Sequence, residues 1–279
     1  NREDTDVPEF SRKVGERGWI GMTWPKKYGG HERSFLERYV VTEEMRVANA
    51  PTRRFFVADR QSGPVLLKYA PENIKMDILP RICRGEVCFA IGMSEPNSGS
   101  DLFAAKTRAT KTDGGYLING TKIWTSSAHI ADYMIAIFRT SPPTKENRRH
   151  GLTQFLVKMK QPGIQVNPIG QITGQYEFNE VVFTDFFVPE DHVLGADLLA
   201  DARHGFVDVQ AHNPVGPRFR DVEHEAVQDV AALDGVRDLG VELHRVVAAR
   251  LVGHAGNRAA RRARHQLEAR RQRADLVAV

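Results

Sequence analysis

The stretch best suited to chemistry is a loop of small and polar residues, Glu95-Pro96-Asn97-Ser98-Gly99-Ser100-Asp101. It is followed by a strand-like run, Lys122-Ile123-Trp124-Thr125-Ser126. Small side chains flank Gly99, so backbone N–H groups can come close to an anionic or carbonyl-rich ligand, as a diphosphate requires. Ser100 adds a hydroxyl donor; its competing reading is a turn or cap residue. Trp124 offers a broad flat surface and one N–H donor, suited to stacking beside a planar ring system, although a strand tryptophan also serves as core. Asp101 reads as structural, its carboxylate capping the backbone that turns after Gly99. Glu95 reads as fixing the loop, with direct ligand contact as the alternative for both acids.

Three textures of sequence surround these residues. From residue 1 to 88 the pattern is helical: Phe35, Leu36, Tyr39, Val40 and Met45 recur at three and four, with Glu43 and Glu44 on the wet side and Ser34 as cap. Gly18 to Gly30, interrupted by Pro25 and its glycines, predicts a packed loop. Pro64 to Leu67 and Ile74 to Ile82 predict two further short helices.

From residue 89 to 195 the period changes to two. Strands are expected at Phe89 to Met93, Lys106 to Thr112, Tyr116 to Asn119, Lys122 to Thr125, Tyr133 to Arg139, Leu152 to Lys158, Ile164 to Pro168 and Glu180 to Phe183. Turns are expected at Asp113-Gly114-Gly115, Asn119-Gly120 and Pro162-Gly163. The expectation is an antiparallel barrel or sandwich of about seven strands, and so an α+β chain with a helical N-terminal domain and a β-barrel behind it.

Residues 196 to 279 contain no Lys, Ile, Met, Trp, Tyr, Cys, Ser or Thr, while Arg, Ala, Val, Asp and His dominate. A helical domain that fills a core to density draws on several of those missing types. Either this is a biased Ala/Arg-rich helical or disordered tail, or it is translated from a shifted frame of a GC-rich gene and never evolved to pack. The chain does not begin with Met, which leaves open whether an upstream segment is missing.

Composition excludes several classes. Thirty-nine Lys and Arg against 35 Asp and Glu give a formal charge of +4, but much of the arginine clustering falls between Arg258 and Arg273 and no nucleic-acid-binding motif accompanies it. No apolar run approaches the roughly 18 residues a membrane span needs. Cys83 and Cys88 match neither a CxxC pair nor a metal knuckle, so reduced structural thiols and the cytoplasm are expected. His204, His212, His224, His244, His254 and His265 lack the spacing of a zinc site, and His129 and His192 read as surface residues. No metal is expected.

Gly92-Met93-Ser94-Glu95-Pro96-Asn97-Ser98-Gly99-Ser100-Asp101 and Asn119-Gly120-Thr121-Lys122-Ile123-Trp124-Thr125-Ser126 resemble the flavin-binding signatures of the acyl-CoA dehydrogenase family, the first meeting its Glu-Pro-x-x-Gly-Ser-Asp pattern throughout. Gly18-Trp19, Trp24-Pro25, Tyr28-Gly29-Gly30, Glu43-Glu44, Leu79-Pro80 with Gly85-Glu86, Phe178-Asn179-Glu180-Val181, Val188-Pro189 and Leu194-Gly195 extend the resemblance, which stops there. It implies FAD as cofactor, with Trp124 and Ser126 against the flavin and Ser126 standing where many members have Thr. It further implies Met93 and Ser94 at the pyrimidine edge, Gly99 and Ser100 at the diphosphate, and Ile91 in the wall beside ring and substrate. The implied reaction is α,β-dehydrogenation of an acyl-CoA thioester in lipid metabolism, with an electron-transfer flavoprotein or similar acceptor and a homo- or hetero-oligomeric assembly. The family supplies its catalytic base from a helical bundle after the barrel. Residues 196–279 lack that pattern, so no residue is nominated as base and this chain is expected to be impaired. The alternatives are a non-catalytic flavoprotein or structural partner of a complete subunit, and an acyl-CoA-binding or lipid-binding module without flavin.

Overall fold

The computed structural model describes residues 7–195; the expectations for the tail after residue 195 lie outside the described residues. Five α-helices come first: α1 (Pro8–Glu16), α2 (Phe35–Val47), α3 (Arg53–Val57), α4 (Gly63–Tyr69) and α5 (Glu72–Cys83). Ser34 opens α2 through a complete capping box: its hydroxyl accepts from the Glu37 N–H, and the Glu37 carboxylate accepts from the Ser34 N–H at 2.8 Å. The buried side of α2 follows its periodicity only in part: Val40 is buried and Met45 packs against the core, as expected. Val40 and Val41 are buried, whereas Phe35 and Tyr39 stand exposed; a spacing of three and four fits more than one stripe of a helix, and only packing selects one.

Between α3 and α4 the chain does not break but widens into a π turn, Ala58–Ser62. Pro64 follows, and a proline ring has no N–H to continue a regular ladder. The segment from Gly18 to Gly30 is a packed loop, with Ile20, Met22, Trp24 and Tyr28 buried. Gly63 has to be glycine here, because a Cβ would lie 2.1 Å from the Trp24 ring.

Eight strands follow: β1 (Phe89–Gly92), β2 (Arg108–Thr112), β3 (Gly115–Ser126), β4 (Tyr133–Arg139), β5 (Leu152–Lys158), β6 (Ile164–Ile169), β7 (Phe178–Pro189) and β8 (Val193–Leu194). They form one sheet in the order β6-β7-β3-β2-β4-β5-β8, with β1 also on β4. This overturns the expected antiparallel barrel. The sheet is mixed, since β4 runs parallel to both β1 and β2, and it is open, since the order ends on β6 at one side and β8 at the other.

The reason lies in β4, every residue of which is buried. Tyr-Met-Ile-Ala-Ile-Phe is a continuous apolar run, the pattern of a strand covered on both faces and able to take parallel neighbours. Hairpin signals along the chain favour sequential neighbours and say nothing of such crossovers.

A second correction concerns Asn119-Gly120. These residues do not turn the chain: β3 runs through them for 12 residues. They sit instead opposite a bulge in β7, where the Asn119 amide donates to Asp185 Oδ1 at 2.9 Å and accepts from the Asp185 N–H at 3.0 Å.

Helices and sheet share a core. Leu66, Ile78, Leu79 and Ile82 from α4 and α5 cluster with Phe89, Tyr133, Ile135 and Leu156 from the sheet. Polar ties reinforce it at the end of β3: Arg53 Nε donates to Ser127 Oγ at 2.9 Å, and Arg54 lies 3.8 Å from Asp132, which accepts from the Cys88 N–H at 2.9 Å.

Candidate functional site

The loop after β1 is built around Glu95. Its backbone pairs reciprocally with that of Ser98, at 2.7 and 3.0 Å, and closes a tight turn. Its carboxylate, buried, accepts from the Lys106 N–H at 2.6 Å, the Thr107 N–H at 3.0 Å and the Lys122 ammonium at 2.7 Å. Glu95 is thus consumed in holding the loop. Burial would raise its carboxyl, but the Lys122 charge beside it and the Lys106 and Thr107 donors outweigh burial and hold it below the usual glutamate value.

Gly99 and Ser100 project beyond that turn and are exposed. At Gly99 a Cβ would meet nothing within 4 Å, and the backbone is not left-handed. Neither packing nor conformation within the described residues demands glycine at this position. A ligand approaching the backbone supplies a reason that the protein's own atoms do not.

Asp101 does not cap the turn after Gly99 as expected. It makes no side-chain cap to the short helical turn Leu102–Ala104; its carboxylate instead meets Arg148 Nη2 at 2.6 Å across exposed surface. The backbone carbonyl of Asp101 accepts from Ser98 Oγ at 2.9 Å. The side chain that ties this turn is thus Ser98, as a donor to a carbonyl, and not the acid as an acceptor from backbone N–H groups.

Trp124 is not core. The residue is 56% exposed and its φ is +58°, a left-handed conformation that is rare for a bulky side chain and worth of order 1–3 kcal/mol of strain. The cause is a bulge: Lys122 pairs with Val181 and Thr125 with Asn179, so Ile123 and Trp124 together oppose one residue of β7. The extra residue bends the strand and turns the indole outward, where its ring meets Phe178 edge to face at 6.2 Å. Ser126 shares the exposed face, with buried Thr125 between them.

The loop and the bulged strand are laced together. Ile123 N–H donates to Ser94 O at 2.9 Å, and Lys122 Nζ to Met93 O at 3.2 Å. The structure thus brings Met93 and Ser94, half-buried at the exit of β1, against the strand that carries Trp124 and Ser126. Ile91 lies on β1, two residues before Met93, and packs against the shared core of helices and sheet. Gly99 and Ser100 are linked to this group through Glu95.

Two residues of the site's scaffold were not singled out from sequence. One is Lys122, which has no exposed surface. The other is Arg139, buried at the end of β4, whose guanidinium donates to four carbonyls: His150 O at 2.6 Å, Phe103 O at 2.7 Å, Ala105 O at 3.2 Å and Arg148 O at 3.3 Å. Arg139 fastens the Phe103–Ala105 segment to the loop carrying Arg148, the partner of Asp101. The available signal was a cation inside an otherwise apolar strand pattern, a placement that requires partners.

Neither cysteine is in a disulfide and both are buried, and burial pushes the Cys83 thiol up to about 12. Among the described residues no helix is long and apolar enough to cross a membrane.

Family models match the two halves of this architecture: the acyl-CoA dehydrogenase N-terminal domain over residues 1–86 and the acyl-CoA dehydrogenase middle domain over residues 90–186. The chain belongs to the acyl-CoA dehydrogenase family. Acyl-CoA dehydrogenase FadE34 of Mycobacterium tuberculosis is 37% identical over 193 residues, a match that covers 68% of this chain and 26% of that protein. Among solved structures, the ChsE4-ChsE5 complex from M. tuberculosis superposes with a TM-score of 0.65 at 26% identity, covering 88% of this chain and 66% of that one. The Tcur3481-Tcur3483 steroid ACAD gives a TM-score of 0.64 at 29% identity, covering 87% and 62%. The chain therefore spans only part of the length of these relatives.

Proposed function

We propose that this chain binds FAD and presents it for the α,β-dehydrogenation of an acyl-CoA thioester, with residues 1–88 as the helical domain and 89–195 as the flavin-binding β domain. The observation that carries the reading is Trp124, an exposed indole held in a strained left-handed bulge and hydrogen-bonded through its neighbours to the Gly99 loop. Strain of this kind persists where the surroundings over-determine it, as at ligand sites.

In this reading Trp124 and Ser126 face the flavin ring, Met93, Ser94 and Ile91 line its edge, and Gly99 and Ser100 hold the diphosphate. When bound, the flavin supplies the hydride acceptor; the protein's part is to hold the ring and thioester in register and exclude water. None of the described residues is assigned as the base that removes the α proton, so turnover by this chain is expected to be weak, with an electron-transfer flavoprotein or a similar acceptor taking electrons from the flavin. A cytoplasmic setting agrees with its two buried cysteines, which form no disulfide.

A second reading, a flavin-binding partner subunit that completes another chain, is favoured by one fact: the similar M. tuberculosis structure is described as a complex of two named proteins. Absorbance of the purified chain after incubation with FAD, followed by turnover of acyl-CoA with an artificial electron acceptor, separates the possibilities. A flavin spectrum with turnover supports the dehydrogenase, and a flavin spectrum without turnover supports the partner subunit. Folded protein that takes up no flavin refutes both.

A further inference from the structure

Lys122 lies inside the sheet with no exposed surface, a place where a lysine is costly to keep. Its ammonium meets Glu95 Oε1 at 2.7 Å and Met93 O at 3.2 Å, and stands 5.6 Å from the centre of the Phe138 ring. Glu95 in turn accepts from the Lys106 and Thr107 N–H groups. One buried ion pair therefore ties together the exit of β1, the entry to β2 and the middle of β3.

Stability alone is a poor reason for such a pair, because replacing both charges with well-packed neutral residues is often neutral or stabilising. Its location gives a better one. Lys122 is the last regularly paired residue before the bulge that turns Trp124 outward, and Glu95 opens the turn beyond which Gly99 and Ser100 project. Each charge sits at the root of one of the two ligand-facing elements, and the pair fixes the distance between those roots.

We infer that Lys122 and Glu95 are positioning residues for the flavin, setting the Trp124 indole and the Gly99-Ser100 backbone relative to each other. The inference rests on the FAD reading above. It predicts that the pair matters more for cofactor binding than for folding, which a merely structural pair would not do.

The test uses the full chain, with wild type, Lys122→Met/Glu95→Gln and Glu95→Gln compared by thermal unfolding, FAD titration and the shape of the bound-flavin absorbance band. Wild type is expected to bind FAD. The double variant is expected to unfold cooperatively yet lose affinity by about tenfold to a hundredfold, the usual effect of removing a supporting shell, with an altered flavin band. Iodide quenching of Trp124 emission in the flavin-free protein should also change.

If wild type itself binds no FAD, the functional reading fails and this inference goes with it. If wild type binds and the folded double variant binds equally well with an unchanged band, the inference alone is overturned. Should the double variant not fold, the near-isosteric Glu95→Gln decides, titrated well below its own unfolding midpoint: wild-type affinity and band overturn the proposal, and weakened binding by the folded variant with an altered band supports it.

Discussion

Replacing Arg139 with methionine removes four charge-assisted hydrogen bonds while leaving a side chain of similar reach in the sheet. Two of them, to His150 O at 2.6 Å and Phe103 O at 2.7 Å, are short; those to Ala105 O and Arg148 O, at 3.2 and 3.3 Å, are weaker. A hydrogen bond to a charged group contributes about 1.5–3 kcal/mol net, so the short pair accounts for about 3–6 kcal/mol. Burial, which lowers the arginine's pKa, is a cost the variant no longer bears, bringing the expected loss to about 2–4 kcal/mol. For a domain of this size that is a fall in unfolding midpoint of about 5–15 °C. Calorimetric or fluorescence-monitored unfolding of Arg139→Met measures the total. Hydrogen exchange locates it: protection should drop at the Phe103–Ala105 segment and at residues 148–150 before it drops on β4. A loss below about 1 kcal/mol, or exchange that rises uniformly over the sheet, would show that the guanidinium does not fasten these loops.

The remaining predictions concern the site and its supports. Gly99→Ala meets no atom within 4 Å at an ordinary φ, so its unfolding midpoint should hold or rise slightly, while FAD affinity falls roughly tenfold if backbone approaches the diphosphate; isothermal titration beside a melting curve reads both. Trp124→Ala should weaken FAD by about 0.5–1.5 kcal/mol, the worth of a stacking contact, measured by flavin fluorescence. Ser34→Ala breaks the capping box of α2 and should cost about 1 kcal/mol in urea unfolding. For pH, the folded Glu95 value lies below its ordinary 4.5, so its contribution is complete above 4.5 and is lost as pH falls through the lower folded value. Lys122 lies below its ordinary 10.5 because of burial, so the cost of its charge is relieved as pH rises from the folded value toward 10.5. The midpoint difference between wild type and Glu95→Gln should therefore be steady at neutral pH and shrink on acidification. A difference that grows as pH falls would contradict the assignment.

What could be read from sequence followed from local physics. The Ser34 cap, the buried Gly18–Gly30 loop and the hairpin at Asp113-Gly114 each depend on a few neighbouring residues, and each is in the structure. The sheet's connectivity is non-local: nothing in Phe89–Gly92 or Arg108–Thr112 announces a parallel pairing to Tyr133–Arg139, apart from that strand's unbroken apolar run. Asn119-Gly120 illustrates the same limit, since a turn-forming pair was absorbed as a bulge partner within a long strand. At the site, residue types pointed to the loop and to Trp124. They did not reveal that Trp124 would be exposed in a left-handed conformation, because the bulge responsible arises from its register with β7. Asp101 does not take its expected capping role because Arg148, 47 residues along the chain, captures the acid.

The most direct test is a titration of the folded full chain with FAD, followed through tryptophan emission in wild type and Trp124→Phe. Saturable quenching of wild type, reduced in the variant because Trp19 and Trp24 lie elsewhere, is the predicted result. A folded wild-type protein whose emission is unmoved by FAD, or quenching identical in Trp124→Phe, would contradict the placement of the flavin against this strand.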